Sequence, residues 1–294
     1  MGTHASPPRT ILLASDLTSR SDRARDRAWQ LARDWRAALH VVHAIEAEPP
    51  VVPAGVDADA WRGRQDDAKR EALRIVQRDV LAGELDARVH VEQGMPAAEA
   101  ILAVAGRERC ELVVLGEARE RVAPTLGEST VEQVLRKAPT SVLLVRERPR
   151  GAYGHVLVGT DFTDEAQQAL AVATQLFPAA TITLMHASDL PYGSMLGAKP
   201  DTREHWDAEQ LERLQRHVSA AAIPEERRAA IHVAVAAGPA GAALARYVRE
   251  QGADLTVIGA HPRGALFDTF VGTTRRIVES VPGDLLMVRA TRPD

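Results

Sequence analysis

Short apolar runs alternate with longer amphipathic stretches along the first half of this chain. Thr10–Ala14, Leu39–Ala44, Ala87–Glu92, Glu111–Leu115 and Val142–Val145 read as strands. The first is apolar throughout its core, as a strand buried on both faces should be. Asp16 and Thr18 offer N-cap oxygens for a helix running to about Ala38. A polar helix is predicted over about Ala58–Ala82. Gly94 and Pro96 open the next, with the proline at a first-turn position where its missing N–H costs little. A last helix covers Val131–Lys137 and is ended by Pro139. Strict alternation of strand and helix predicts a parallel sheet with helices on both faces.

The second half repeats the first. ILLASDLT (Ile11–Thr18) matches VLVGTDFT (Val156–Thr163), and LHVVHA ending at Ala44 matches ITLMHA ending at Ala187. VHVEQGMPAAEAI matches IHVAVAAGPAGAAL, ELVVLG matches DLTVIG, and APTSVLLV matches VPGDLLMV. All five pairs come in one order and are 143 to 145 residues apart. The period is domain-sized, so this is a duplication and not a solenoid. The link Glu147–Gly154 contains Pro149, Gly151 and Gly154, which interrupt regular structure. A boundary near Pro149–Tyr153 gives domains Met1–Arg148 and Tyr153–Asp294. The predicted fold class is α/β: two flavodoxin-like (Rossmann-like) doubly wound domains, each with a five-stranded parallel sheet in the order 3-2-1-4-5. The switch point lies between strands 1 and 4, so a ligand belongs over their carboxyl ends.

Candidate chemistry collects at those ends in the second repeat. Gly159-Thr160-Asp161 closes strand 1, and Gly259-Ala260-His261-Pro262-Arg263 closes strand 4. Gly272-Thr273-Thr274 is expected directly before a helix, where free backbone N–H groups and the positive dipole end favour phosphate. Asp161 can accept hydrogen bonds from a ribose or an adenine amino group, and His261 and Arg263 can supply charge to phosphate.

These motifs resemble the ATP-binding branch of the universal stress proteins, whose G-x2-G-x9-G-[ST] pattern follows strand 4. Gly259 and Gly272-Thr273 match its ends, and Pro262 replaces its middle glycine, removing one backbone N–H. The resemblance implies that Thr160 and Asp161 contact adenosine and that Ala187 lines the base pocket. It implies that Gly259, His261, Gly272, Thr273 and Thr274 hold ribose and phosphates. The first repeat aligns Ser15, Asp16, Ala44, Gly116, Arg119, Ser129 and Thr130 with these positions. There Arg119 takes the middle glycine's place, Ser129 the last glycine's, and the Glu128 carboxylate stands alongside; Arg119 and Arg121 could offset it or pair with it. A degenerate first site and a better-kept second one follow. The implied protein binds ATP or another adenine nucleotide in a regulatory, non-catalytic role. The alternative is a nucleotide-free protein acting through association with an unknown protein partner.

Bulk properties narrow the classes. A net charge of −4 and a pI near 6.2 give no basic field for nucleic acid. Cys110 is the sole cysteine, so no intrachain disulfide forms, which fits a reducing cytoplasm. The opening MGTHASPPRT lacks signal-peptide character, and no apolar run approaches the ~18 residues of a membrane span. His43 and His186, at equivalent strand-2 ends, read as hydrogen-bonded packing groups, and Cys110 as a small buried hydrophobe. No second His or Cys stands at metal-ligand spacing, so no metal site is expected. Neither a nucleophile elbow nor a Walker A motif is present, so no enzyme is expected beyond weak ATP hydrolysis at most. Strand 5 of each repeat is an exposed edge, so Val142–Val145 and Leu285–Val288 are expected to pair within the chain as a pseudo-dimer, with a further homodimer possible.

Overall fold

The computed structural model describes residues 6–19, 21–45, 58–80, 86–117, 128–188, 200–260 and 267–289. The chain separates into two compact units, one formed by Pro8–Pro149 and the other built on Arg150–Asp294. In the first, β1 (Thr10–Ala14), β2 (Ala38–Ile45), β3 (Ala87–Gln93), β4 (Leu112–Gly116) and β5 (Ser141–Val145) lie in the order β3-β2-β1-β4-β5. In the second, β6 (His155–Thr160), β7 (Thr181–Ser188), β8 (His232–Ala237), β9 (Leu255–Gly259) and β10 (Asp284–Val288) run β8-β7-β6-β9-β10. Each unit therefore has the 3-2-1-4-5 order. Its strand pairs are parallel, with Ile11 registered on both Leu39 and Leu112, and Val156 on Ile182 and Leu255.

The central strands form the core. Ile11, Leu12, Leu13, Val113, Val114, Val156, Leu157 and Val158 are fully buried. Each such side chain contributes ~1.5–3 kcal/mol over its exposed state. Helices α1 (Asp22–Trp35), α2 (Ala58–Ile75), α3 (Ala97–Arg107) and α4 (Thr130–Lys137) complete the first unit, a π-helical turn Val76–Val80 following α2. The second unit carries α5 (Asp164–Leu176), α6 (Pro200–Ala220), the single turn α7 (Glu225–Arg228), α8 (Ala240–Gln251) and α9 (Phe267–Ser280). Small residues let these helices sit close to the sheet: α1 buries Ala24, Ala28, Leu31 and Ala32 on one face.

An acidic residue ahead of the fourth strand anchors the first strand in both units. Glu111 accepts from the Arg9 N–H, while Asp254 accepts from the N–H groups of Gly154 and His155 at 2.8 and 2.9 Å. Tyr153, at the edge of the expected link, belongs to the second core: it is buried and donates to buried Asp284 at 2.6 Å.

Several predicted boundaries shift for local reasons. Helix α1 ends at Trp35, before the expected Ala38, because Arg36 adopts the left-handed conformation and its N–H closes onto Ala32 and Arg33. Neither Asp16 nor Thr18 caps α1; Ser21 holds the N-cap position, and the Asp16 carboxylate is used in its own turn. Pro96 is the N-cap of α3 and not its first residue.

Candidate functional site

The first strand of each unit ends in the same turn. Asp16 Oδ1 accepts from the N–H and hydroxyl of Thr18 at 2.9 and 2.8 Å, and Asp161 Oδ1 accepts from those of Thr163 at 3.1 and 2.5 Å. One residue earlier, the Ser15 hydroxyl accepts from the Leu17 N–H and the Thr160 hydroxyl from that of Phe162. The residue between is left-handed in both, with φ of 59° at Leu17 and 67° at Phe162. This doubly pinned turn holds a bulky residue where glycine is usual. His43 Nδ1 donates to the Ser15 carbonyl at 2.9 Å and His186 Nδ1 to the Thr160 carbonyl at 2.8 Å. These two histidines tie strand 2 to the turn, the hydrogen-bonded role their position suggested.

In the second unit the topology brings Thr160, Asp161, Ala187 and Gly259 to one edge of the sheet: β6 lies between β7 and β9, and Thr160 is registered on His186. Gly259 has a packing reason for being glycine. A β-carbon there would stand 2.5 Å from the backbone of Glu165 in the first turn of α5. His261, Pro262 and Arg263 lie outside the described residues. Gly272, Thr273 and Thr274 do not precede a helix as expected. Helix α9 begins at Phe267, so they lie within it and their N–H groups are not those of its first turn. Gly272 and Thr273 are exposed and Thr274 is half-buried.

The sequence reading missed an aromatic and cationic cluster on this turn. The Phe162 ring lies 4.3 Å from His186 and 5.7 Å from His217 of α6, and the Arg213 guanidinium sits 4.0 Å over it. The Thr160 hydroxyl is 3.3 Å from His217 Nε2. Burial holds the His217 imidazole below its usual pKa, Asp161 opposing and Arg213 reinforcing. No motif announces this cluster, because α6 and the turn are some fifty residues apart and meet only in the fold.

In the first unit, Ser15, Asp16, Ala44 and Gly116 reach the corresponding edge. Ser129 and Thr130 are absorbed in starting α4: Ser129 is its N-cap, in a capping box with Glu132, and Thr130 is its first residue. Glu128 pairs with Arg136 in the same segment. Arg119 and Arg121 lie outside the described residues. Past the ends of β4 and β5, buried Arg146 pairs with Glu117, and its carbonyl accepts from Arg23 at 2.8 Å.

A family model described as the universal stress protein family matches residues 8–146 and again 152–289. This chain belongs to the universal stress protein family. As a tandem universal stress protein it is 33% identical over 139 residues to a universal stress protein in the QAH/OAS sulfhydrylase 3′ region of Thermus aquaticus, a match covering 47% of this chain and 98% of that one. Its fold is similar to that of a universal stress protein from Archaeoglobus fulgidus, with TM-score 0.69 and 17% identity over 96% of this chain and 98% of that one. A functionally unknown protein from Pseudomonas aeruginosa PAO1 gives TM-score 0.57 and 19% identity, over 96% and 92%.

Two further expectations meet the structure here. Cys110 is buried, and burial beside Glu108 and Glu111 pushes its thiol up to about 12, so at neutral pH it is a packing group and not a thiolate. The expectation of no metal site rested on spacing along the chain, and the fold brings together a group of side chains that such spacing does not announce. Pairing of β2 with β3 brings His40 Nδ1 within 3.0 Å of His90 Nε2, and Glu108 Oε2 lies 3.8 Å from His40 Nδ1. Among the described residues no helix is long and apolar enough to cross a membrane.

Proposed function

We propose that this universal stress protein binds an adenine nucleotide, ATP or a close relative, in its second unit over the carboxyl ends of β6 and β9, and that binding regulates and does not catalyse. The observation that carries this reading is the exposed Asp161 turn beside the β6–β9 switch point, where a doubly wound sheet receives its ligands. The carboxylate is fixed by two hydrogen bonds to Thr163, so an acceptor for ribose or adenine is oriented in advance. The first unit has the same turn, but its Ser129 serves a helix cap and its Glu128 a salt bridge.

The second reading, association with a protein partner without nucleotide, is favoured by one observation. The Phe162 ring already packs against His186, the neighbour of Ala187 on β7, and carries the Arg213 guanidinium over its face. Calorimetry with ATP and with AMP separates the two. Saturable heat from the intact protein, weakened at least ~10-fold in Asp161→Ala, is expected, the size of a lost charge-assisted hydrogen bond. No heat at high protein concentration from either the wild type or Pro262→Gly leaves the association reading.

A further inference from the structure

At the opposite, amino-terminal edge of the sheet the two units differ. In the second unit His155 Nε2 and the Tyr247 hydroxyl both lie 3.1 Å from the Thr183 hydroxyl, and the His155 and Tyr247 rings meet edge to face. The first unit has His40 in place of Thr183 and Val104 in place of Tyr247. A cavity of about 370 Å³ opens there, lined by Thr10, Leu39, His40, Asp86, Arg88 and Glu108. His40 is buried, with its Nδ1 facing His90 Nε2 at 3.0 Å; the rings are nearly parallel, their centroids 5.2 Å apart.

The tautomers follow from the neighbours. Arg107 Nη2 is 3.3 Å from His90 Nδ1, and a guanidinium only donates. Therefore His90 Nδ1 accepts, its Nε2 carries the proton, and His40 Nδ1 receives that hydrogen bond. Burial is the main cause lowering the pKa of each ring, which favours the neutral imidazole, with Arg88 acting the same way on both and Glu108 opposing.

We propose that His40 Nδ1, His90 Nε2 and Glu108 form a binding site for a divalent transition cation such as zinc. Two imidazole nitrogens that share an ion at ~2.0–2.1 Å in tetrahedral array stand ~3.3 Å apart, close to the 3.0 Å seen. All three ligand atoms lie within 4.8 Å of one another, and the cavity leaves a coordination position for water or a small anion. Glu108 is the C-cap of α3, whose negative dipole end adds to the attraction. When the ion binds, the proton of His90 moves from Nε2 to Nδ1 through solvent. Arg107, half-exposed and held by Glu92 at 2.7 Å, then withdraws from Nδ1, which as a donor no longer accepts from the guanidinium.

Calorimetric titration of the chelator-treated full-length protein with Zn²⁺ tests this, with Co²⁺ visible absorption reporting coordination. The expected result is saturable binding that includes one site whose affinity falls at least ~100-fold in both His90→Gln and Glu108→Gln. Both replacements sit at the solvent-accessible side of the cluster, and unchanged circular dichroism confirms that each variant is folded. If the wild type binds no Zn²⁺, or if that site survives in either folded variant, the proposal fails.

Discussion

The turns at Ser15–Thr18 and Thr160–Thr163 share three features: the aspartate carboxylate on the threonine, the strand-end hydroxyl on the next N–H but one, and the left-handed residue between. Beside the first the Ser15 hydroxyl meets that of Ser21, and the same unit spends Arg146 on Glu117 and Ser129 on a capping box. Around the second lie Phe162, His217 and Arg213. Residues within three positions of one another set the turn, so both copies keep it. Residues from other elements set the electrostatics, and there the copies differ.

The largest test of this contrast is Gly259→Val. With a β-carbon 2.5 Å from the Glu165 backbone, α5 must move, and a loss of about 3 kcal/mol is expected. Urea unfolding should show it, and hydrogen exchange should place the loosening in β6–β10 and α5. An unchanged midpoint would disprove the close approach.

Paired alanine substitutions give a smaller effect. Thr18 and Thr163 make the same bonds to their aspartates, but Thr163 is the N-cap of α5 and accepts from the Ala166 N–H, whereas Ser21 holds the N-cap position of α1. Thr163→Ala should therefore cost about 1 kcal/mol more than Thr18→Ala. Equal losses would mean that the cap contributes nothing.

The smallest effect is one of pH. His217 faces Asp161, Asp164 and Arg213, and its folded pKa lies below the ordinary 6.5. Above about 6.5 both states are neutral and its contribution to stability is fully present. Below that the unfolded chain takes up a proton that the folded one refuses, so stability is lost as pH falls toward the folded value. His217→Gln should flatten that limb of the stability profile for the second unit; an unaltered slope would show that His217 protonates freely in the fold.

How much of this was legible in the sequence depends on range. Thr10–Ala14, Leu112–Gly116 and Ser141–Val145 could be read because a strand buried on both faces must be apolar. The duplication was plain because five landmarks recur at one separation. Gly272 looks like a boundary in the sequence, yet among the described residues nothing outside its own helix approaches within 4 Å of where its β-carbon would be, and the helix runs through it. The His40–His90–Glu108 cluster was invisible because it needs the β2–β3 register, which places His90 opposite Val42 and so diagonal to His40.

The central pairs β1–β4 and β6–β9 join segments about a hundred residues apart, as Arg9 with Glu111 and Gly154 with Asp254 show. Closing such long loops is slow, because chain entropy is lost before the contact is rewarded. The edge between β6 and β9 that would receive a nucleotide therefore exists only once this long loop of its unit has closed. A ligand bound there would stabilise the assembled unit by mass action, because the unfolded chain offers no such edge.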